Sequence, residues 1–263
     1  MRGCLAILRA RYSTLMQYRG AAFAGICTQL FWGLIMVMIL KAFFHESRQS
    51  QPLTFSQAAT FVLLAQALLQ LVPWTIDKEL EAQVKGGNVV YELVRPLDLY
   101  WLWFSRALAM RLTPTLLRAV PIFILAGLFL ELSAPVSAAA LFSFMASLIF
   151  SIILSAAITT CVIISLFWTL SGEGIQRLMP HMTVLLSGLV VPIPLFPSWL
   201  QPFMLAQPFR AIIDIPSRLY TGVIPASEAI FYLAFQLVWA VFFIFLGKKL
   251  MQKALKQFVV QGG

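Results

Sequence analysis

The sequence has little charge for its length. Only 11% of its 263 residues are Asp, Glu, Lys or Arg, whereas about 25% is usual in a soluble domain. Hydrophobic residues make up 60%, and the mean hydropathy is +0.88. A water-soluble fold is excluded because too few polar side chains are present to cover this apolar material. The composition therefore predicts an all-α integral membrane protein.

The sequence also lacks the residues that mark catalytic and metal sites. Its three cysteines, Cys4, Cys27 and Cys161, are odd in number and far apart, which excludes a disulfide framework or a thiolate metal site. No phosphate-binding loop and no H-E-x-x-H motif is present. His45 and His181 are interpreted as packing or interfacial residues. We therefore expect a chain that is not an enzyme and holds no metal or cofactor of its own.

The sequence contains long apolar runs, and one membrane span requires roughly 20 mainly apolar residues. Thr113-Pro114 is interpreted as a helix cap followed by proline at the first helical position. The fourth run is too long for one perpendicular span, so we expect it to tilt or to project into the cytoplasm. The six predicted transmembrane helices cover residues 21–44, 55–74, 114–131, 136–170, 180–191 and 229–246.

Basic residues are distributed asymmetrically about these spans. With the N-terminus inside, Lys and Arg number four in the N-terminal arm, six between spans two and three, one before span five and four in the tail. Four remain outside. By the positive-inside rule both termini are cytoplasmic, so the net charge of +9 reflects topology and not a nucleic-acid partner. Apolar residues of the arm, 1–19, recur at helical spacing between arginines, which predicts an interfacial helix on membrane lipids with its arginines facing the lipid phosphates.

The most charged part of the chain is residues 77–106, and the predicted cytoplasmic segment 75–105, which contains most of it, is expected to lie in water or against another protein. A polar helix, 75–85, is predicted to end at Gly86-Gly87, and a second short helix covers 88–95. Its apolar side fits a partner's groove or, alternatively, touches lipid, while Glu92 and Arg95 are placed at the rim. The candidate contact residues are Glu79, Glu81, Val89, Val90, Glu92, Leu93, Arg95 and Pro96.

Small hydroxyl residues recur every four positions in the fourth span. Such spacing forms a gently winding stripe that allows close approach of another helix or, alternatively, lines a polar substrate path. The residues of the stripe are Ser143, Ser147, Ser151, Ser155 and Thr159.

Half of the 14 prolines fall within the segment 192–226, which therefore is not one straight helix. The segment is nevertheless apolar, and we expect short helices that dip back into the outer interface as a re-entrant hairpin. No acidic residue lies at the centre of a predicted span, which disfavours a proton- or sodium-coupled carrier.

This order of elements resembles the permease subunit of ABC-2 type ATP-binding-cassette transporters. Gly87 followed by Leu93-Val94-Arg95-Pro96-Leu97 is similar to the "G…L-L-R-P-L" segment of a bacterial exporter-like permease family of about the same length. The resemblance implies an inner-membrane exporter in which two permeases form the pathway at their interface. Two separate ATPase subunits would bind ATP and Mg.

The resemblance also implies roles for segments. Residues 79–97 would contain the coupling helix, the arm 1–19 the connecting helix, and 192–225 an extracellular lid. The lid residues are Pro192, Pro194, Phe196, Pro197, Trp199 and Phe203. A hydrophobic or amphipathic lipid, drug or peptide remains open as substrate, and so does a homodimer or a related heterodimer. The alternative functions are a secondary carrier and a membrane scaffold or assembly protein without transport.

Overall fold

The computed structural model of this chain describes residues 2–17, 19–46, 51–94, 97–130, 132–169 and 173–257. Arg95 and Pro96, two of the candidate contact residues, lie outside the described residues. Within these ranges the chain is helical and contains no β-strand. The predicted all-α class is therefore confirmed.

The described residues form eleven α-helices joined by short 3₁₀ turns. They are α1 (Arg2–Leu15), α2 (Arg19–Glu46), α3 (Phe55–Ala67), α4 (Lys78–Lys85), α5 (Val90–Leu93), α6 (Leu99–Phe129), α7 (Ala138–Ile164), α8 (Glu173–Leu186), α9 (Gln201–Ala206), α10 (Asp214–Tyr220) and α11 (Ala229–Gln257).

Four helical segments in the described part of the chain are long and apolar enough to cross a membrane: Gly20–Glu46, Leu99–Phe129, Ala138–Phe167 and Ala226–Lys256. The chain is thus a multi-pass membrane protein. Two further elements, α3 with 13 residues and α8 with 14, are about 20 Å long at 1.5 Å per residue. Neither α3 nor α8 alone crosses a hydrocarbon core of about 30 Å.

The third span was predicted to begin at Pro114, and this boundary is wrong. Helix α6 begins at Leu99, where the Asp98 carboxylate accepts a hydrogen bond from the Trp101 amide at 3.1 Å. It then continues through both Pro114 and Pro121. An apolar first turn and an aspartate cap start the helix earlier, and proline is tolerated inside a helix that neighbouring helices support.

Other predicted boundaries shift in the same way. Span five was placed at 180–191, but α8 begins at Glu173, contains Pro180 and ends at Leu186. The fourth run ends its α-helix at Ile164 and continues only as the 3₁₀ turn Ser165–Phe167. Helix α11 instead extends beyond its prediction, because the lysines after residue 246 continue the same helix.

Helices α6, α7 and α11 form the centre of the molecule. The start of α6, the end of α7 and the end of α11 share one apolar cluster, which includes Trp103, Ile163 and Met251. At the opposite end, Phe144 of α7 and Tyr220 of α10 belong to a second cluster. Helix α6 is therefore antiparallel to both α7 and α11, which are parallel to each other. We name the two ends the α4 end and the α10 end after the helices that pack there.

Both ends of the described chain lie at the α4 end. Helix α1 packs along α6, and the last turns of α11 place Met251 and Ala254 in the same apolar cluster as Leu80 of α4. Lys248 lies 4.5 Å above the Trp101 ring, which joins the two helices at this end. Termini and charged segment thus share one side of the molecule, as the distribution of basic residues predicts.

The proline-rich segment 192–226 lies at the α10 end and consists of short helices. Besides α9 and α10 it contains the 3₁₀ turns Ile193–Leu195, Pro208–Ala211 and Ala226–Glu228. Gln207 holds the segment to α8, since its side-chain amide donates to the Leu186 carbonyl at 2.7 Å.

Candidate functional site

Helices α4 and α5 form a compact projection at the α4 end. Asp77 caps α4, because its carboxylate accepts hydrogen bonds from the amides of Glu79 and Leu80 at 3.0 and 3.4 Å. Helix α4 ends at Gly86, and Gly87 follows with a φ of +72°, a conformation that favours glycine. The predicted helix, Gly-Gly break and second short helix are therefore all present.

A charged cluster joins this projection to α6. Arg106 donates to Asp77 at 2.7 Å and to Glu79 at 2.8 Å, and its third nitrogen lies 3.7 Å from Glu92. Arg11 of α1 binds Glu79 from the other side. We call these five residues the charged cluster. Its centre is buried, since Asp77, Glu92 and Arg106 are 7%, 4% and 5% exposed.

Burial of the cluster corrects two predictions. The segment 75–105 was expected to lie in water or against a partner, yet Asp77 and Arg106 pair inside this chain. The arginines of the arm were expected to face lipid phosphates, but Arg11 binds Glu79 instead. The physical reason is the same in both cases: a carboxylate within hydrogen-bond reach stabilises a guanidinium that has left water.

Glu92 was placed at the rim of a partner contact, and this position is wrong. Its carboxylate accepts a hydrogen bond from the Trp103 indole at 2.8 Å, and Trp103 stacks on Phe167 with ring centroids 5.7 Å apart. Val89 is also fully buried, beside Leu80 in the apolar cluster. Val89 and Glu92 therefore fix α5 to the body of the protein, because both side chains are held beneath it.

The outer surface of α5 is apolar and exposed. Tyr91, Leu93 and Val94 are 74%, 44% and 81% exposed, and Val90 is half-buried. Glu81 forms an ion pair with Lys85 at 2.8 Å on the surface of α4. The candidate contact residues thus separate into a buried set and an exposed set. We call Tyr91, Leu93 and Val94 the α5 tip.

The arginines of the charged cluster lower the pKa values of Asp77 and Glu79. Burial opposes ionisation of Asp77, but the hydrogen bond and charge of Arg106 outweigh it and lower the pKa of Asp77 below its ordinary value. The hydrogen bond from Arg11 lowers the pKa of Glu79 against a smaller effect of burial. Both carboxyl groups are therefore ionised at neutral pH, and the projection is held by charge-assisted contacts.

A linker, residues 71–77, runs from the end of the 3₁₀ turn Leu69–Leu71 to α4 and is non-helical from Val72 onward. Arg111 of α6 donates to the carbonyls of Val72 and Thr75 at 3.0 and 2.7 Å. Ser155 of α7 donates to the Leu71 carbonyl. Asp77 at the end of the linker is held by Arg106. Side chains of α6 and α7 therefore bind this linker along its length.

The hydroxyl stripe lies inside the molecule. Ser147, Ser151, Ser155 and Thr159 are fully buried, and Ser143 is half-buried. Ser151 donates to the Ala211 carbonyl at 2.8 Å, and Thr159 accepts from Arg111 at 3.2 Å. In this arrangement the hydroxyl groups join α7 to neighbouring elements, as expected of a stripe that serves helix packing.

Gln236 of α11 completes these contacts, and its role was not visible in the sequence. Its amide donates to the Ser147 carbonyl at 3.2 Å, to the Ser151 hydroxyl at 3.0 Å and to the Ala211 carbonyl at 2.8 Å. One side chain thus joins α11, α7 and the turn before α10. A polar residue in an apolar helix was the available signal, because such a residue usually faces another helix.

The six candidate lid residues are only partly brought together. Pro192 is buried and Pro194 half-buried. Phe196 packs on a small cluster of Leu186, Ile193 and Met204. The other three, Pro197, Trp199 and Phe203, are exposed, with Trp199 77% exposed. The segment thus has an apolar anchor and an exposed apolar outer surface.

The α10 end contains buried charges that were not predicted from the sequence. Asp214 is fully buried in α10, with Arg210 and Arg218 on either side of it. A spacing of four residues between each pair was the signal, since such residues share one side of a helix. Among the described residues, no group of three or more His, Cys, Asp or Glu side chains is placed to hold a metal ion.

Comparison with known proteins agrees with this layout. The family model described as "ABC-2 family transporter protein" matches residues 30–262, which is most of the chain. The matched region includes the projection, the hydroxyl stripe and the proline-rich segment. No curated protein matches the chain.

Proposed function

The chain belongs to the ABC-2 family of transporter proteins, and from this premise we propose that it is the non-catalytic permease subunit of an ATP-driven exporter. Family membership implies association with ATPase subunits, which would bind ATP and Mg. The observation that carries the proposal within this chain is the α5 tip, an exposed apolar surface on a base held by buried charges.

The α5 tip suits a docking role for two reasons. Exposed aromatic and aliphatic side chains on a short helix fit a groove of a partner protein. Beneath them, Glu92 and Val89 are buried and Trp103 holds Glu92 by a 2.8 Å hydrogen bond, so a force on the tip reaches α6 directly. In this proposal the α4 end faces the cytoplasm, in line with its basic residues.

The linker 71–77 supplies the route from the docking surface into the membrane. Arg106 and Arg111 hold two points of the linker against α6, and Ser155 and Thr159 connect it to α7. Arg111 is 3% exposed and donates two hydrogen bonds to the linker and one to α7, so it ties the linker to both helices. Displacement of α4 by an ATPase would therefore shift α6 and α7 with it.

A second permease copy or a related chain would complete the pathway. The apolar windows of α2 and α11 are each only 17% buried, which leaves wide surfaces for lipid or for a partner helix. The substrate would be hydrophobic or amphipathic, leaving by the proline-rich segment at the α10 end. That segment would act as a re-entrant extracellular lid in a bacterial inner membrane. The short helices α3 and α8 would complete the six spans.

The experiment is purification of the tagged permease from its native host, followed by identification of any ATPase subunit that co-purifies. Tyr91→Ala and Val94→Asp change the α5 tip, and Trp199→Ala removes an aromatic residue of equal exposure at the other end. We expect the first two variants to lose the ATPase and the third to retain it. Retention of the ATPase by all three variants would exclude the α5 tip as its docking surface.

The same experiment separates the alternative functions. A secondary carrier or a membrane scaffold would be purified without an ATPase even in its unaltered form. The family match disfavours the carrier, although Asp214 is an acidic residue that is fully buried in a short helix outside the long apolar spans.

A further inference from the structure

Three charged side chains of the α10 end lie together in the interior. Asp214 is fully buried, and its Oδ2 atom is 3.6 Å from Arg210 Nε and 3.5 Å from Arg218 Nη1. Arg210 is 4% exposed and lies 5.6 and 5.4 Å from the ring centroids of Tyr232 and Phe235 on α11. We call Arg210, Asp214 and Arg218 the arginine triad.

The triad has unused hydrogen-bonding capacity. Both separations exceed the 2.7–2.9 Å of a good charge-assisted hydrogen bond. Among the described residues, neither Asp214 oxygen accepts a hydrogen bond, and Arg210 Nε and Nη2 and Arg218 Nε donate none. The Ser217 hydroxyl, on the same helix, is also buried without a partner in the described structure. Arg210 Nη1 donates to the Leu205 carbonyl at 2.8 Å, and Tyr232 is a further neighbour of the same guanidinium group.

The triad also carries an unbalanced charge. Two guanidinium groups and one carboxylate give a formal +1, and no other described carboxylate pairs with either arginine. Its surroundings are apolar, since Ile212, Ile213 and Ile215 are fully buried beside it. A net positive charge with unpaired donors in such surroundings attracts an anion. Ionisable residues that remain in the interior of a membrane protein are functional candidates for the same reason.

We infer that the arginine triad binds the phosphate group of an anionic amphipath, with Arg210 and Arg218 as donors and Asp214 setting the orientation of both guanidinium groups. Access is from Arg218, whose side chain is 14% exposed while Asp214 has no exposure. Planar guanidinium groups suit phosphate because they present paired donors to its oxygens. As an assignment of substrate class, this inference rests on the proposed function.

The test measures anion binding by the purified permease alone. Native mass spectrometry counts retained phosphatidylglycerol and phosphatidylcholine from an equimolar mixture, and thermal unfolding with inorganic phosphate shows whether a free anion suffices. The variants are Arg218→Gln and Asp214→Asn, and Lys41→Gln changes an exposed basic residue outside the triad as a control. Arg210→Gln is measured as a further variant together with its unfolding temperature. This control is needed because loss of the contacts between Arg210 and α11 also affects folding.

The two triad variants are expected to act in opposite directions. Arg218→Gln should lower retention of phosphatidylglycerol at least about tenfold, because a charge-assisted hydrogen bond is lost. Asp214→Asn keeps a side chain of the same size and an accepting oxygen beside both guanidinium groups while the net charge of the site rises to +2, so it should raise retention. Lys41→Gln should retain phosphatidylglycerol as the unaltered protein does. A purely structural triad would lower the unfolding temperature in both variants and change lipid retention in neither.

The outcomes separate this inference from the proposed function. Equal retention of both lipids, with no effect of inorganic phosphate, overturns the anion site even when the ATPase still co-purifies. Stabilisation by inorganic phosphate without preference for phosphatidylglycerol supports the site and assigns it to a free anion. Absence of an ATPase from the purified unaltered protein, with intact anion binding, overturns the proposed function and leaves the triad standing as an anion site.

Discussion

Replacing Arg106 with methionine removes the cation that Asp77, Glu79 and Glu92 share. Asp77 and Glu92 side chains are 8% and 4% exposed, so each is left as a buried carboxylate with weaker compensation. Breaking a buried ion pair by removing one partner costs about 3–5 kcal/mol. Glu79 is 54% exposed, so its lost pair adds at most about 1 kcal/mol.

The expected effect is local to the projection. Arg11 lies 4.0 Å from Asp77 and still binds Glu79, which retains part of the cluster in the variant. A loss of about 3 kcal/mol raises the open population of α4 and α5 more than a hundredfold. Hydrogen–deuterium exchange of residues 76–94 should therefore become faster in Arg106→Met, while exchange in α7 should change little. Binding of the ATPase should fall in parallel.

Two comparison variants make the result decisive. Lys85→Met removes only the surface pair with Glu81, which is expected to cost less than about 0.5 kcal/mol. Arg106→Lys keeps the charge but not the three-way contact, so its exchange should lie between the other two. Unchanged exchange of residues 76–94 in Arg106→Met would refute the reasoning that the buried carboxylates need this cation.

Three further predictions concern pH and packing. The pKa values of Asp77 and Glu79 lie below their ordinary values of 3.8 and 4.5. The stability that these two carboxylates add to the projection is therefore complete at pH values above 4.5 and is lost as the pH falls through the lowered pKa values. A spin label on α4 should become mobile only below about pH 4. A Cβ atom at Gly247 would lie 2.6 Å from the Tyr100 ring of α6, so Gly247→Ala should lower the free energy of unfolding by about 1–3 kcal/mol. A Cβ atom at Gly127 would meet no atom within 4 Å, so Gly127→Ala should not lower it. Thermal unfolding in detergent distinguishes the two variants. Gln236→Leu removes three interhelical hydrogen bonds of about 0.6 kcal/mol each and should lower the unfolding temperature, and an unaltered temperature would contradict the role of Gln236.

The structure changes how Glu92 is to be tested. If Glu92 lay on the surface, reversing its charge would report on docking of a partner. Because Glu92 is buried and hydrogen-bonded to Trp103, reversing its charge places a second cation beside Arg106 and displaces α5. The exposed Tyr91 and Val94 are the informative positions for docking, because their substitution leaves the charged cluster intact.

Several features followed from local sequence. The α4–α5 break was predictable because Gly86-Gly87 ends a polar helix, and the short helices of the segment 192–226 because proline removes backbone hydrogen bonds. Helix boundaries were less accurate at Pro114 and Pro180. Rules for proline derive from helices in water, whereas these two prolines lie inside helices of a membrane protein.

Composition and local motifs are sufficient to identify a helical membrane protein that resembles ABC-2 permeases. The pairing of charges depends on the three-dimensional fold, which joins Arg11 to Glu79 across 68 positions and Arg106 to Asp77 across 29. On a helix of a soluble protein an apolar stripe marks the buried side. The long helices of this protein are apolar on most sides, so the pattern does not identify which side is buried. The arrangement of buried polar groups therefore depends on contacts between distant segments, which spacing along the chain does not encode.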